Sequence, residues 1–203
     1  MNPEDQARQD IDKMLIASGW IIQDYEDRNL SESLGVAVRE YPLSKDNADY
    51  ALFIDSQPVG VVEAKKYGHT LSGVVEQSEK YLDGLHEKFT SAPIRPPFSY
   101  ETTGIETTFA DRRDPNHRSR HVFTFHRPEL LQIWYNEETT LRARLSDIPK
   151  LNFDKLWDCQ SEAITNLEDS FSQNKPRALI QMATGSGKTF TAVTSIYRLI
   201  KFT

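Results

Sequence analysis

Three residues in the first third of the chain, Asp49, Glu63 and Lys65, are of the types that could hold a divalent metal. Two carboxylates supply oxygen ligands to a hard cation, and the lysine adds a positive charge two residues on. They lie in Asn47 to Lys66, NADYALFIDSQPVGVVEAKK, which reads as a β-hairpin. Tyr50, Leu52 and Ile54 alternate with Ala51 and Phe53, Asp55-Ser56-Gln57-Pro58 carries the turn signal, and Val59, Val61 and Val62 lead into Glu63-Ala64-Lys65. Strand side chains alternate faces, so Asp49 is expected beside Ala51 and Phe53, and Glu63 beside Lys65. A loop of about three residues sets Asp49 opposite Glu63, with Cβ atoms ~5 Å apart. Carboxylates held so close repel unless a cation lies between them. Standing alone, the same residues would also suit a solvent-facing hairpin of mixed charge.

A second constellation lies near the other end. Leu179 to Gln181 begin an apolar strand, ALIQM, followed by Met182-Ala183-Thr184-Gly185-Ser186-Gly187-Lys188-Thr189 and an apolar helix from Phe190 to Ile200. Strand, glycine-rich loop, Lys-Thr and helix form the context of a phosphate-binding loop. Glycines let backbone N–H groups turn inward and cradle phosphates, and the helix N-terminus adds a favourable field. Thr184, Gly185, Ser186 and Gly187 form the cradle, Lys188 reaches the β- and γ-phosphates, and the Thr189 hydroxyl completes a Mg²⁺ shell. Met182 stands where the first glycine usually does. Upstream, Trp157-Asp158-Cys159-Gln160 opens a helix to about Phe171; the loop resembles that of superfamily 2 helicases, and by that resemblance Gln160 is a candidate to read the adenine edge.

The elements that must position these groups follow from periodicity. Residues 4 to 18 form an amphipathic helix on Ile11, Met14 and Leu15, ended by Gly19, with Glu4 and Arg8 spaced as a surface ion pair. Trp20 to Ile22 are extended, and a strand runs from about 35 to 41 until Pro42. A helix over 72–89, capped by Ser72, carries Gln77 and Tyr81 one turn apart on one face. Extended pieces follow at Phe98–Thr103, Ile105–Phe109 and Val122–Phe125, and Pro128 starts a short helix. This series fits a mixed α/β sheet flanked by helices. The window Asp111 to Arg120, DRRDPNHRSR, is the most basic in the chain; Arg112, Arg113, Arg118 and Arg120 are candidates for DNA backbone contact. Residues 136–150 are polar and weakly patterned, and Pro149 marks the expected boundary between domains 1–148 and 149–203.

The composition suits a globular domain plus part of another: 203 residues, 38% hydrophobic and 27% charged. No apolar run reaches membrane-spanning length and the start lacks a signal-peptide pattern, so a cytoplasmic location is expected. The single cysteine, Cys159, excludes an internal disulfide or a cysteine-rich zinc site and reads as a small buried residue. A net charge of −6 argues against a general polyanion binder, though a local basic strip could still meet DNA.

Together these residues resemble the N-terminal part of the restriction (R, or HsdR) subunit of type I restriction-modification enzymes. The resemblance rests on Glu4…Arg8, Ala17-Ser18-Gly19-Trp20, Ala48-Asp49-Tyr50, Val62-Glu63-Ala64-Lys65, Gln77-x-x-x-Tyr81, Thr102-Thr103-Gly104, Phe125-His126-Arg127-Pro128 and the closing Met-Ala-Thr-Gly-Ser-Gly-Lys-Thr. It implies a restriction-endonuclease-like PD-(D/E)xK fold, followed by the first segment of a RecA-like superfamily 2 helicase motor. The implied activity is that of a type I site-specific deoxyribonuclease, cutting double-stranded DNA with Mg²⁺ after ATP-driven translocation by the full-length subunit. Methyltransferase and specificity subunits are the implied partners. By the same resemblance Asp49 and Glu63 bind the metal, Lys65 is catalytic, Gln77 and Tyr81 support the site, and Glu4 is a further acidic candidate. The chain stops soon after Lys188, so the nuclease is expected to carry an ATPase stub that binds ATP poorly and does not turn it over. Other readings left open are a DNA-binding or docking module with a vestigial nuclease site, and a nucleotide-binding fragment without nuclease activity.

Overall fold

A computed structural model describes residues 3–203 except 44–45, 69–70, 72–74, 91, 93, 116, 153–154 and 176; the side chains of residues 3–5 and 75–78 also lie outside the description. The chain divides into two compact units, one of residues 1–113 and 117–137, the other of residues 114–116 and 138–203.

The first unit is a seven-stranded mixed sheet in sequence order: β1 (Ile21–Asp24), β2 (Gly35–Pro42), β3 (Asn47–Ile54), β4 (Gln57–Ala64), β5 (Phe98–Thr102), β6 (Thr107–Asp111) and β7 (Arg120–Val122). β1 runs parallel to β2 and β4 parallel to β5; every other neighbouring pair is antiparallel. Two parallel strands cannot be joined by a tight turn, and α2 (Val75–Lys88) lies in the connection from β4 to β5. The helices α1 (Pro3–Ala17) and α3 (Pro128–Asn136) complete the unit. Ile11 and Leu15 of α1 and Leu131 of α3 pack with Ala37, Tyr50, Leu52, Val62 and Tyr100. Leu82 and Leu85 of α2 pack with Val36, Val38, Ala51, Phe53 and Val61 on the opposite face. The expected cap Ser72 lies outside the described residues.

The hairpin is tighter at its turn and less regular along its length than its sequence suggests. Asp55 and Ser56 both have positive φ, 48° and 63°, and close a two-residue loop between Ile54 and Gln57. A bulge follows, because Phe53 pairs with Pro58 but Leu52 with Gly60, leaving Val59 extra. The pairings beyond it, Ala51 with Val61 and Tyr50 with Val62, have the register that an expected three-residue loop would have given. Gly60 is required there: a Cβ would meet the Phe98 carbonyl oxygen of β5 at 2.4 Å.

The alternation carried through to Asp49 breaks at that residue. Tyr41 of β2 and Ala48 of β3 join the same core cluster as Val38 and Ala51, so both strands slip one position between them, at Glu40 and Asp49. Glu40 takes φ 46°, a conformation that costs a non-glycine residue about 1 kcal/mol or more.

The second unit holds α4 (Leu141–Arg144) with a 3₁₀ turn, Leu145–Asp147, in the stretch expected to lack pattern, then α5 (Asp158–Ser172) and α6 (Lys188–Phe202). Arg198 of α6 makes a two-pronged ion pair with Glu168 of α5, at 2.6 and 2.9 Å. Two expectations are corrected here. The apolar run Ala178 to Met182 forms no strand, because no neighbouring strand pairs with it among the described residues. Cys159 is exposed, since the buried stripe of α5 runs through Gln160 and Ile164.

Candidate active site

The β3–β4 ladder ends at the pair Tyr50–Val62. One residue further, Asp49 uses its side chain where the ladder would use a carbonyl: Oδ2 accepts the Ala64 N–H at 2.8 Å. Asp49 Oδ1 accepts from the Arg8 guanidinium of α1 at 3.0 Å, and Arg8 also meets Glu40 at 2.5 Å. Arg8 thus pairs with two carboxylates carried by neighbouring strands; the side chain of Glu4, the partner its helical spacing suggests, lies outside the described residues.

Glu63 follows Val62 on β4 and is paired in register with Glu101 of β5. Four neighbouring strands therefore carry a carboxylate at one level: Glu40, Asp49, Glu63 and Glu101. Lys65 donates to Glu63 Oε1 at 2.8 Å, while Glu63 Oε2 is buried and finds no hydrogen-bond partner among the described residues. Glu63 is 6% exposed and Glu101 2%. Burial pushes the Glu63 carboxyl above its ordinary range; the Lys65 hydrogen bond pulls the other way, and Asp49 and Glu101 push further up.

Arg8, Asn47, Asp49, Glu63, Ala64, Lys65, Lys66 and Tyr81 line one cleft of about 550 Å³. Four of the expected site residues, Asp49, Glu63, Lys65 and Tyr81, therefore meet. Gln77 lies on α2 one turn before Tyr81, with its side chain outside the description. Sequence reasoning missed Arg8 as a partner of Asp49, together with Glu40, Glu101, Asn47 and Lys66. The one available signal was Glu101, an isolated acid in the otherwise uncharged strand Phe98–Thr102.

The donor set suits a hard cation. Oxygen ligands from Asp49 and Glu63 face the same cleft, and Glu63 Oε2 is a buried acceptor in need of a partner. Among the described residues no three His, Cys, Asp or Glu groups converge as a cluster, so two carboxylates would need further oxygens from backbone or substrate.

The basic window is partly built into the fold. Arg112 pairs with Glu79 and Asp83 of α2, and Arg113 with Asp111 and the carbonyls of Trp134 and Glu137. Arg118 and Arg120 are half-buried. The DNA-contact expectation is therefore corrected for Arg112 and Arg113, whose guanidiniums are engaged internally.

In the second unit Gly185 and Gly187 take φ 82° and 77°, and the loop folds back on itself ahead of α6. Lys188 Nζ donates to the Ala183 carbonyl at 3.1 Å, as does Ser186 Oγ at 2.7 Å. Thr184 and Thr189 are exposed. Gln160 is buried with both ends of its amide engaged: Oε1 accepts from Trp157 N and Nε2 donates to the Ser186 carbonyl. This conflicts with an amide held open for an adenine edge and makes Gln160 a brace between α5 and the loop. A Cβ at Gly187 would meet Gln160 Nε2 at 2.3 Å.

Residues 29–103 match the family model of the type I restriction enzyme EcoKI endonuclease subunit second domain, and residues 154–203 that of the type III restriction enzyme res subunit. The type I restriction enzyme EcoKI endonuclease subunit of Escherichia coli (strain K12) is 28% identical over 252 residues, covering 98% of this chain. The chain spans 21% of that relative's length. A fragment structure assigned as the HsdR subunit of a type I restriction enzyme from Vibrio vulnificus YJ016 is 21% identical, with a TM-score of 0.46, covering 98% of this chain and 38% of that one. The chain is thus similar to the N-terminal part of an HsdR subunit, as its motifs indicate. Among the described residues, no helix is long and apolar enough to cross a membrane.

Proposed function

We propose that, like the N-terminal part of the subunit it resembles, the chain carries the Mg²⁺-dependent endonuclease site of a type I restriction enzyme. In this reading residues 1–148 form a PD-(D/E)xK nuclease domain and residues 149–203 begin a RecA-like motor that uses ATP. The supporting observation is the cleft in which Asp49, Glu63, Lys65 and Tyr81 meet, with Glu63 Oε2 buried and without a hydrogen-bond partner among the described residues.

Asp49 and Glu63 would hold the metal, with the Ala64 carbonyl as a third oxygen. Bound there, Mg²⁺ supplies Lewis-acid stabilisation of the phosphate and a more acidic water. Lys65 orients the attacking water by hydrogen bonding and offsets negative charge growing on the phosphate. Tyr81 walls the cleft and limits how the backbone enters it. Arg118 and Arg120 are proposed to meet DNA backbone. No base-reading element is evident, so target choice would fall to specificity and methyltransferase subunits of a cytoplasmic complex. The loop at Thr184–Thr189 would bind ATP phosphates, with Lys188 turning from the Ala183 carbonyl to the nucleotide.

Asp49→Ala and Glu63→Ala in the assembled full-length enzyme should abolish plasmid cleavage while ATP hydrolysis continues. Lys65→Ala should block cleavage yet leave most metal binding in place, because its contribution is made at the transition state. Normal cleavage by Glu63→Ala, or joint loss of cleavage and ATPase activity, would show that the nuclease centre lies elsewhere.

A further inference from the structure

Arg8 stands out among the residues of the cleft. It is a half-exposed cation on α1 held by Glu40 and by the metal-ligand candidate Asp49. Its ion pair is not what seats the helix. One turn on, Asp12 accepts from the Tyr50 hydroxyl at 2.8 Å and pairs with Arg39 at 2.7 Å, while Ile11 and Leu15 are fully buried. Glu40, the other partner of Arg8, is the strand residue with φ 46°, and strain of this kind persists where surrounding structure enforces it. The placement leaves a guanidinium on an oxygen that a cation would share. The planar fork of arginine suits phosphate as well as carboxylate.

We propose that Arg8 is a phosphate-binding residue of this site: it rests between Glu40 and Asp49 and gives up Asp49 when metal and DNA arrive. The inference builds on the nuclease reading above. Arg8 neutralises Asp49 in the metal-free protein. A cation held by Asp49 and Glu63 would weaken the hold of Asp49 on the guanidinium, and a phosphate would offer Arg8 an alternative anion. Glu40 tethers it nearby in the meantime.

The test is Mn²⁺ binding to the 203-residue chain by calorimetry, with circular dichroism confirming unchanged helix content. Arg8→Gln should tighten Mn²⁺ binding roughly three- to tenfold, the scale of one unit charge near a divalent ion in a largely solvated site. Glu40→Gln should weaken it by a similar factor, since Arg8 then rests on Asp49 alone. In Ca²⁺, Arg8→Gln should weaken duplex binding and lower its salt slope by about one. Loss of a merely structural pair would move both variants' Mn²⁺ affinity the same way, and that result, or DNA affinity unchanged in Arg8→Gln, overturns the inference. A wild-type chain that binds no Mn²⁺, or binds it unchanged after Glu63→Gln, removes the metal site and this inference together. A Glu63-dependent Mn²⁺ site indifferent to Arg8 removes this inference alone.

Discussion

Glu63 keeps one oxygen buried without a hydrogen-bond partner among the described residues, and such an atom costs stability unless something ligates it. Glu63→Gln is therefore expected to melt no lower than the parent, with a gain of up to about 1 kcal/mol at neutral pH. The pH dependence carries the sign. Burial raises the Glu63 pKa above its unfolded value, so folding disfavours the ionised form. That penalty is fully present above the folded pKa and fades as pH falls toward the unfolded value. Thermal melts of parent and Glu63→Gln compared across mildly acidic pH should converge as the acid form fills; a gap that widens instead would contradict the assignment. Lys65 beside Glu63 and Tyr81 on α2 were legible as positions because they follow local spacing; Asp49 was legible only as the hairpin neighbour of Glu63, since the slip at Glu40 and Asp49 undoes the face that alternation predicts for it. Arg8 was not legible, since its partner Asp49 lies 41 positions away, and an i, i+4 pairing with Glu4 was the simpler reading. Gln160 was legible as a position but not as a role, because periodicity does not say which carbonyl an amide will find.

The elements around the site make their own demands. Arg113 ties the loop after β6 to the buried Asp111 and two backbone carbonyls, so Arg113→Ala should destabilise the fold by about 1–3 kcal/mol in denaturant titration. Arg112 meets Glu79 and Asp83 of α2, which are part-exposed and exposed, so Arg112→Ala should cost about 1 kcal/mol or less. Tyr100 of β5 and His126 ahead of α3 form a second buried join: the hydroxyl lies 2.6 Å from His126 Nδ1. Burial, with Arg120 adding to it, lowers the His126 pKa to about 4. The folded state then binds fewer protons than the unfolded state between pH 6.5 and about 4, and stability falls as pH drops through that window. His126→Leu should flatten this slope, checked by the midpoint of urea unfolding at pH 7 and pH 5. The strands and helices of the first unit were legible because their apolar periods agree with their packing. The run 178–182 misled for the opposite reason: its composition suits a strand, but a strand needs neighbours to complete its hydrogen bonds.

At the scale of the molecule, the two candidate sites belong to different compact units: the carboxylate cleft to one and the glycine-rich loop to the other. Lys188→Ala should therefore leave Mn²⁺ affinity of the cleft unchanged while removing ATP-driven activity from a full-length enzyme. Calorimetry on the first and an ATPase assay on the second check the two halves of that expectation. A shift in Mn²⁺ affinity would mean the units are energetically coupled. The overall negative charge of −6 sits with a cleft that also presents Arg8, Lys65 and Lys66, so attraction for DNA would be local. Composition alone pointed away from a general polyanion binder for this reason, and it could not reveal where the cations gather.

The extra residue at Val59 has a consequence for how this hairpin tolerates change. The two-residue turn by itself would pair Asp49 with Val62 and send Glu63 to the other side of the sheet; the bulge adds the single step that restores their phase. Hairpin length is thus quantised. An unbulged ladder that kept Val59 would invert Glu63, whereas removing Val59 together with its bulge leaves Leu52 opposite Gly60 and should keep the two carboxylates in phase. The chain between those two residues can therefore change by paired steps of two, or by one residue when a bulge is gained or lost with it, and still keep the carboxylates opposed.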